Sequence, residues 1–392
     1  MRIAIKTVGV VAAVAVTLLV SWYVMVGPER AHGAAAKVRD LLSEPTAAVP
    51  VPVATFTEGG APGAADSGSQ TATPATEQPE ELEPSSQPAA PVRSTTTQSA
   101  QPAQRAAGSL AFGLATPNAP TGRAEIAAAA AAAGARVDIV QYFADAQHPL
   151  NVKLLNAAAA DGATPMLSLE TPTWSTADIA AGRYDQNIKN LAHKLAQFNN
   201  EAGGTVLLRL NHEMNGHWYP WAEGTRGNPP GAYAAAWRRF VDTVRQTGTG
   251  RTTVLWIWSP NILRGAQEDA ISQAYPGDQY VDYLGLTGYG DATYERTPAD
   301  TFDKTLHVLR SRVSASKPIM ITESGAGPGK YKVAWTRALG PWLRSHPDIR
   351  AFVWFDKDTS SGANDDWRFT PYHDVADALR LSLAEAGATT KP

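Results

Sequence analysis

The chain contains no cysteine in 392 residues, so disulfides and thiolate chemistry are excluded and export cannot depend on oxidative folding. A charge excess is missing too. Lys+Arg 34 against Asp+Glu 37 leaves a formal net charge of -3. No basic surplus is available to neutralise phosphates, and nucleic acid is not expected as a partner. Aromatic side chains are scarce in one region, where Phe56 stands alone between positions 44 and 107 amid Pro, Ala, Thr, Ser and Gln. Such a composition cannot bury enough apolar surface to offset chain entropy. Residues 34–108 are therefore expected to form a disordered, extended low-complexity linker, a stalk that holds a folded domain at a distance.

Ahead of that linker, Arg2 and Lys6 precede an uncharged apolar run from Thr7 to Val26. At about 1.5 Å per residue such a run reaches roughly 30 Å, the thickness of a bilayer core, with the positive charges left on the cytoplasmic side. Residues 1–33 read as a signal anchor. A cleaved signal peptide is the alternative, with "AHGAA" around Gly33 as its cleavage site. Either reading places the remainder outside the cytoplasm, membrane-anchored through this segment if it is uncleaved, or secreted.

The folded domain is expected over 109–388. Ten of the eleven tryptophans follow Pro172. Short apolar runs closed by Gly, Pro, Asn, Asp or Glu recur eight times, at 109–117, 135–143, 164–172, 205–213, 252–260, 283–290, 318–325 and 349–356. Segments with helical periodicity lie between them: "AEIAAAAAAAG", "DQNIKNLAHKLAQFNNEAGG", "GAYAAAWRRFVDTVRQTG", "ADTFDKTLHVLRSRVSAS" and "VAWTRALGPWLRSHP". Strands alternating with helices imply parallel pairing, because parallel neighbours need a crossover. Eight such units predict an α/β fold of the (β/α)8 TIM-barrel type. An open doubly wound sheet is the alternative. If it bound nucleotides it would carry a Gly-rich phosphate turn after its first strand, and "FGLATPNAP" is not one.

Chemistry in a barrel of this kind lies at the C-terminal strand ends. Glu213 ends the fourth run and Glu323 the seventh, in "ITESG". Two carboxyl groups converging from separate strand ends suit glycoside hydrolysis, with one protonating the leaving oxygen and the other attacking, or activating water, at the anomeric carbon. The alternative for each acid alone is a solvated loop charge, or a buried partner for Arg209. Indoles near strand ends offer flat faces for sugar rings. Trp174, Trp218, Trp221, Trp258, Trp354 and Trp367 follow or end predicted strands, with Trp218, Trp258 and Trp354 the better candidates, whereas Trp237, Trp256, Trp335 and Trp342 read as packing. The segment "RLNHEMNGHWYPW" invites comparison with the zinc motif H-E-x-x-H. His212 and His217 are five apart, so on a helix they would diverge by roughly 140°, and Asn215-Gly216 and Pro220 break any helix there. No metal is expected.

At these residues the chain resembles glycoside hydrolase family 26. The matching segments are "RLNHEMNGHWYPW", "LWIWSPN", "YPGDQYVDYLGLTGY", "PIMITESG" and "AFVWFD", in family order across most of 109–386. The resemblance implies a retaining endo-acting β-glycoside hydrolase. Glu213 would be the acid/base and Glu323 the nucleophile, their carboxyl groups about 5–5.5 Å apart. His212, Trp218, Tyr289 and Trp354 would wall the subsite of the sugar under attack. β-1,4-Mannan is the leading substrate, with mixed-linkage β-glucan and β-1,3-xylan as further classes. A non-catalytic glycan-binding or cell-wall-associated barrel is the alternative. The expectation for the whole is a monomer acting on a polysaccharide, without a cofactor.

Overall fold

The computed structural model describes residues 109–250, 253–263 and 268–388. The membrane segment expected in 1–33 and the linker expected in 34–108 lie outside the described residues. Among the described residues no helix is long and apolar enough to cross a membrane.

Eight parallel strands close into a barrel in sequence order. They are β1 (Ala111–Ala115), β2 (Ile139–Asp145), β3 (Thr164–Glu170), β4 (Val206–Leu210), β5 (Val254–Trp258), β6 (Tyr283–Thr287), β7 (Ile319–Ser324) and β8 (Ile349–Phe355). Each overlaps one of the eight apolar runs, and β2 continues two residues past its own. The helices are α1 (Arg123–Ala133), α2 (Val152–Ala158), α3 (Thr176–Ala180), α4 (Asp185–Ala202), α5 (Ala232–Gln246), α6 (Glu268–Ala274), α7 (Pro298–Val308), α8 (Lys332–Ser345) and α9 (His373–Glu385). Five match the periodic segments. α2, α3 and α6 have seven residues or fewer, too few to display a helical period. α9 had a readable stripe in Val375, Leu379 and Leu383, all buried. Local chemistry sets the boundaries. α1 and α4 stop at Gly134 and Gly203, both left-handed. α7 starts with a capping box of Thr297 and Asp300, with Pro298 in its first turn.

The strands bury both faces. The outward side chains pack against the helices in the larger core, where Trp237 meets Trp256 edge-on at 6.3 Å between ring centroids. Trp335 and Trp342 join the same core, as their helical placement implied. The inward side chains form layers at the strand period of two. The floor is apolar: Ile139, Met166, Leu207, Ile257, Met320, Ala351 and Val353. β1 contributes Gly113 there, because a Cβ would sit 2.8 Å from Val353 Cγ2. One step toward the C-terminal mouth the layer turns polar and stays buried, with Gln141, Ser168, Arg209, Ser259, Thr287 and Thr322. The next step holds the candidate site.

A strict alternation would point Thr322 inward and Glu323 outward. The register between β6 and β7 shifts at this point, so that Leu286 pairs with Ile321 but Thr287 with Glu323. A second irregularity falls between Ile321 and Ser324 against β8. A bulge of this kind re-aims a side chain. Thr322 hydrogen-bonds the inward Ser259 at 2.8 Å, while Glu323 also reaches the interior, against Arg209.

Candidate active site

Glu213 follows β4 in a tight turn. Its φ is +56° and that of Asn211 is +43°, left-handed conformations that cost a non-glycine residue of order 1–3 kcal/mol unless the surroundings hold them. They are held. Asn211 accepts from the Thr171 amide at 3.0 Å and donates to Thr171 Oγ1 at 2.8 Å. The Glu213 amide donates to the Ser259 carbonyl at 2.7 Å. Asn215 and Asn261 bind each other reciprocally at 2.9 and 2.8 Å. Asn261, so fixed, donates to Glu213 Oε1 at 2.8 Å, and the Trp218 indole N–H donates to Oε2 at 2.7 Å. Gly216 lets this indole lie over the chain, since a Cβ there would meet Trp218 Cζ2 at 2.5 Å.

Glu323 is held from two sides. Arg209 Nη1 donates to its Oε2 at 2.6 Å, and the Tyr289 hydroxyl donates to Oε1 at 2.5 Å. Arg209 is fully buried and is also tied to Ser168 and Thr287. A buried guanidinium needs such an anion beside it. The pairing with Arg209 that offered a structural alternative for the glutamates is therefore real for Glu323, and it sets a positive charge against a buried carboxyl group.

Each acid is 7% exposed. The environments differ. Burial pushes the Glu213 carboxyl up to about 7, with the Glu323 charge adding to the effect and Arg209 opposing it. Two carboxyl groups in one site, one with a raised pKa and one bound to a guanidinium, stand in unlike environments.

Of the remaining sequence candidates, Trp218 and Tyr289 are brought directly onto the two acids. His212 is brought close but sits behind them, 2% exposed, between Phe143, Tyr219 and Trp221. Its ring nitrogens face the Tyr219 hydroxyl at 3.1 Å and Glu170 at 4.0 Å. His217 lies on the exposed loop surface. Three tryptophans are not brought into the site. Trp258 and Trp354 are both 0% exposed and pack in the core between barrel and helices. Their indole N–H groups are spent on the Ala274 and Trp367 carbonyls. Each stands one residue away from an inward position, Ile257 or Val353, and the strand period turns it outward. Trp174 is buried and stacks on Tyr184 at 4.2 Å.

Other aromatics take their places. Trp367, half-buried in the loop after β8, leans on Tyr289 at 4.3 Å. Phe143 and Phe355 stand at inward positions at the ends of β2 and β8, 6.3 Å apart, with the Lys357 ammonium 5.3 and 5.2 Å from their ring centres. Phe143 had a readable signal, its period-two spacing with Ile139 and Gln141. Trp367 had only its place after a strand run, because a loop's return over the mouth is not a local property.

A closed parallel barrel with two buried acids at the ends of β4 and β7 defines a class of barrel-mouth acid pairs. Comparison with known proteins shows what the chain is similar to. Residues 173–330 match the model of Glycosyl hydrolase family 26. Endoglucanase H from Acetivibrio thermocellus is 30% identical over 259 residues, 64% of this chain and 28% of that protein. A mannan endo-1,4-beta-mannosidase from Bacillus subtilis is 25% identical over 185 residues, 46% of this chain and 47% of that protein. The chain thus spans less than half the length of either relative. The solved structure of a GH26 beta-mannanase from Bacteroides ovatus superposes with a TM-score of 0.55 at 19% identity, covering 71% of this chain and 90% of that one. Over residues 173–330 the chain is similar to glycoside hydrolase family 26.

Proposed function

We propose that the barrel is a retaining, endo-acting β-glycoside hydrolase with Glu323 as nucleophile and Glu213 as acid/base. The observation that carries this reading is the difference in setting of the two buried acids, Glu323 bound to Arg209 and Tyr289 and Glu213 bound to Asn261 and Trp218, where burial raises its pKa. In the first step a Glu323 oxygen bonds to the anomeric carbon as the glycosidic C–O bond breaks, and Glu213 gives its proton to the leaving oxygen. In the second step Glu213 takes a proton from water, the hydroxyl attacks the same carbon, and Glu323 leaves as carboxylate. One water is consumed and the configuration is retained. Trp218 and Tyr289 are the substrate-facing aromatics, joined by Trp367 in place of Trp258 and Trp354.

β-1,4-Mannan is the leading substrate, supported by the mannan endo-1,4-beta-mannosidases among the relatives. A β-glucan is the second reading, favoured by the 30% identity to an endoglucanase. Residues 1–33 as anchor or signal and 34–108 as linker would place this monomeric hydrolase outside the cytoplasm, on the composition set out above. The test is hydrolysis of a panel of β-glycans by residues 109–388, assayed for new reducing ends and for the anomeric configuration of fresh products. Cleavage with retention is expected. Inversion would overturn the retaining roles given to the two acids, and no cleavage of any β-glycan by a folded protein that still binds them would favour the non-catalytic barrel.

A further inference from the structure

A third carboxyl stands at the barrel mouth. Glu170 ends β3 at the inward position above Met166 and Ser168. Its side chain is 27% exposed and makes no hydrogen bond among the described residues, yet it lies within electrostatic reach of Arg209, Glu323, Asp145 and Glu213. His212 Nδ1 lies 4.0 Å from its Oε1, which is too long for a hydrogen bond. That nitrogen is itself buried and without a partner. Two polar groups of complementary type thus face each other across a small gap, beside the two acids.

The imidazole's chemistry gives the gap a direction. Burial holds the His212 pKa well below the usual histidine range, and Arg209 adds to this, so the ring is neutral and carries one proton. Its Nε2 lies 3.1 Å from the Tyr219 hydroxyl. If Tyr219 donates there, the ring proton sits on Nδ1 and points at Glu170. A shift of about 1 Å by Glu170 would close that bond and leave its second oxygen facing the mouth.

We infer that Glu170 is a specificity-determining residue, oriented by the Tyr219–His212 pair, whose free oxygen accepts a hydrogen bond from one hydroxyl of the sugar seated over Glu323. Burial pushes the Glu170 carboxyl up to about 7, the Arg209 charge opposing and Glu323, Asp145 and Glu213 adding, so the group gains from any donor that reaches it. An acceptor in this place suits a neutral hydroxyl and rejects a carboxylate or sulfate. This inference rests on the glycosidase reading for the identity of the ligand, and Glu170, not His212, becomes the residue that touches sugar.

The test compares wild type, Glu170→Ala and the isosteric Glu170→Gln on an aryl β-glycoside and on its analogues lacking one ring hydroxyl at a time. Binding of the corresponding oligosaccharides is measured in the Glu323→Ala background. Glu170→Ala should lower kcat/KM by about 10- to 150-fold on the intact glycoside, the range of a charged hydrogen bond. On one deoxy analogue the penalty should fall below about twofold. Glu170→Gln should show the same pattern, reduced. Imidazole ¹⁵N shifts should report the Nδ1–H tautomer of His212. An equal penalty on every analogue, or an Nε2–H tautomer, overturns the inference. If wild type cleaves nothing but Glu170→Ala weakens binding of all but one deoxy sugar, the glycosidase reading fails and this one stands. If the substitution changes neither cleavage nor binding, the inference fails alone.

Discussion

Glu213 and Glu323 are expected to fail differently when removed. Glu323→Ala takes away the group that forms the bond to carbon, and turnover of every substrate should fall by about 10⁴-fold or more. Glu213→Ala removes a proton donor, worth about 10²–10⁴-fold where the leaving group needs protonation. Polysaccharide cleavage should therefore collapse, while the first step on aryl glycosides with good leaving groups survives. Azide should then speed breakdown of the intermediate and yield a β-glycosyl azide. Product analysis checks this, and an α-azide from Glu213→Ala would reverse the roles.

The raised pKa of Glu213 also sets a pH dependence. The acid must be protonated to act, so kcat/KM should decline as pH rises through about 7. Glu170, raised to a similar value, is separated by substitution: Glu170→Gln should keep this alkaline limb and Glu213→Gln should abolish it. Stability carries the same sign. A carboxyl at about 7 in the folded state and near 4.5 when unfolded holds its proton only in the fold across that interval. Its contribution is complete below 4.5 and lost as pH rises through 7. Glu213→Gln should therefore melt higher than wild type at pH 8, by at least about 2–4 °C for a domain of this size, with the difference closing near pH 4.5. A thermal scan at both pH values decides.

At the scale of the element, the turn after β4 is a strained support for chemistry. Its left-handed Asn211 and Glu213 are locked by Thr171, Ser259 and the Asn215–Asn261 pair. Gly216→Ala leaves that lock intact but drives a methyl into the Trp218 indole. We expect the indole to leave Glu213, costing about tenfold or more in kcat/KM with a small change in melting temperature. Near-normal kinetics would show that the indole hydrogen bond is dispensable. The α8–α9 contact gives the opposite case. A Cβ on Gly340 would lie 2.9 Å from Ser382 Cα, a backbone atom that cannot swing aside. Gly340→Ala should lower stability by about 1–3 kcal/mol, as overpacking does, with kcat/KM unchanged at temperatures where the protein is folded. Parallel melting and kinetic measurements separate the two glycines.

For the whole molecule, the described barrel contains a complete core. Leu110 bridges to Ala388, so the barrel's first strand and the end of its last helix meet. Residues 34–108 are expected from their composition to supply no apolar core, and the apolar run before them reads as an anchor or signal. A chain starting at Gly108 should melt within about 2 °C of the full chain, and a drop of many degrees on truncation would show that the preceding segment contributes to the fold.

The sequence by itself determined what depends on local periodicity. The eight strands were legible because each buried run is short, apolar and closed by a turn residue, and α4 because Ile188, Leu191, Leu195 and Phe198 share a face. Glu213 and Glu323 were legible because they end their runs. Only the tertiary structure decided which way side chains at strand ends point. Trp258 and Trp354 turn outward because alternation from the barrel floor turns them so, and the start of that count is set by barrel closure. Glu323 escapes the same alternation through a bulge fixed by its neighbours on β6 and β8. Arg209, Glu170 and Trp367 meet the acids from β4, β3 and a distant loop, an encounter that no spacing along one chain records, because closing the barrel is what brings those strand ends to one mouth.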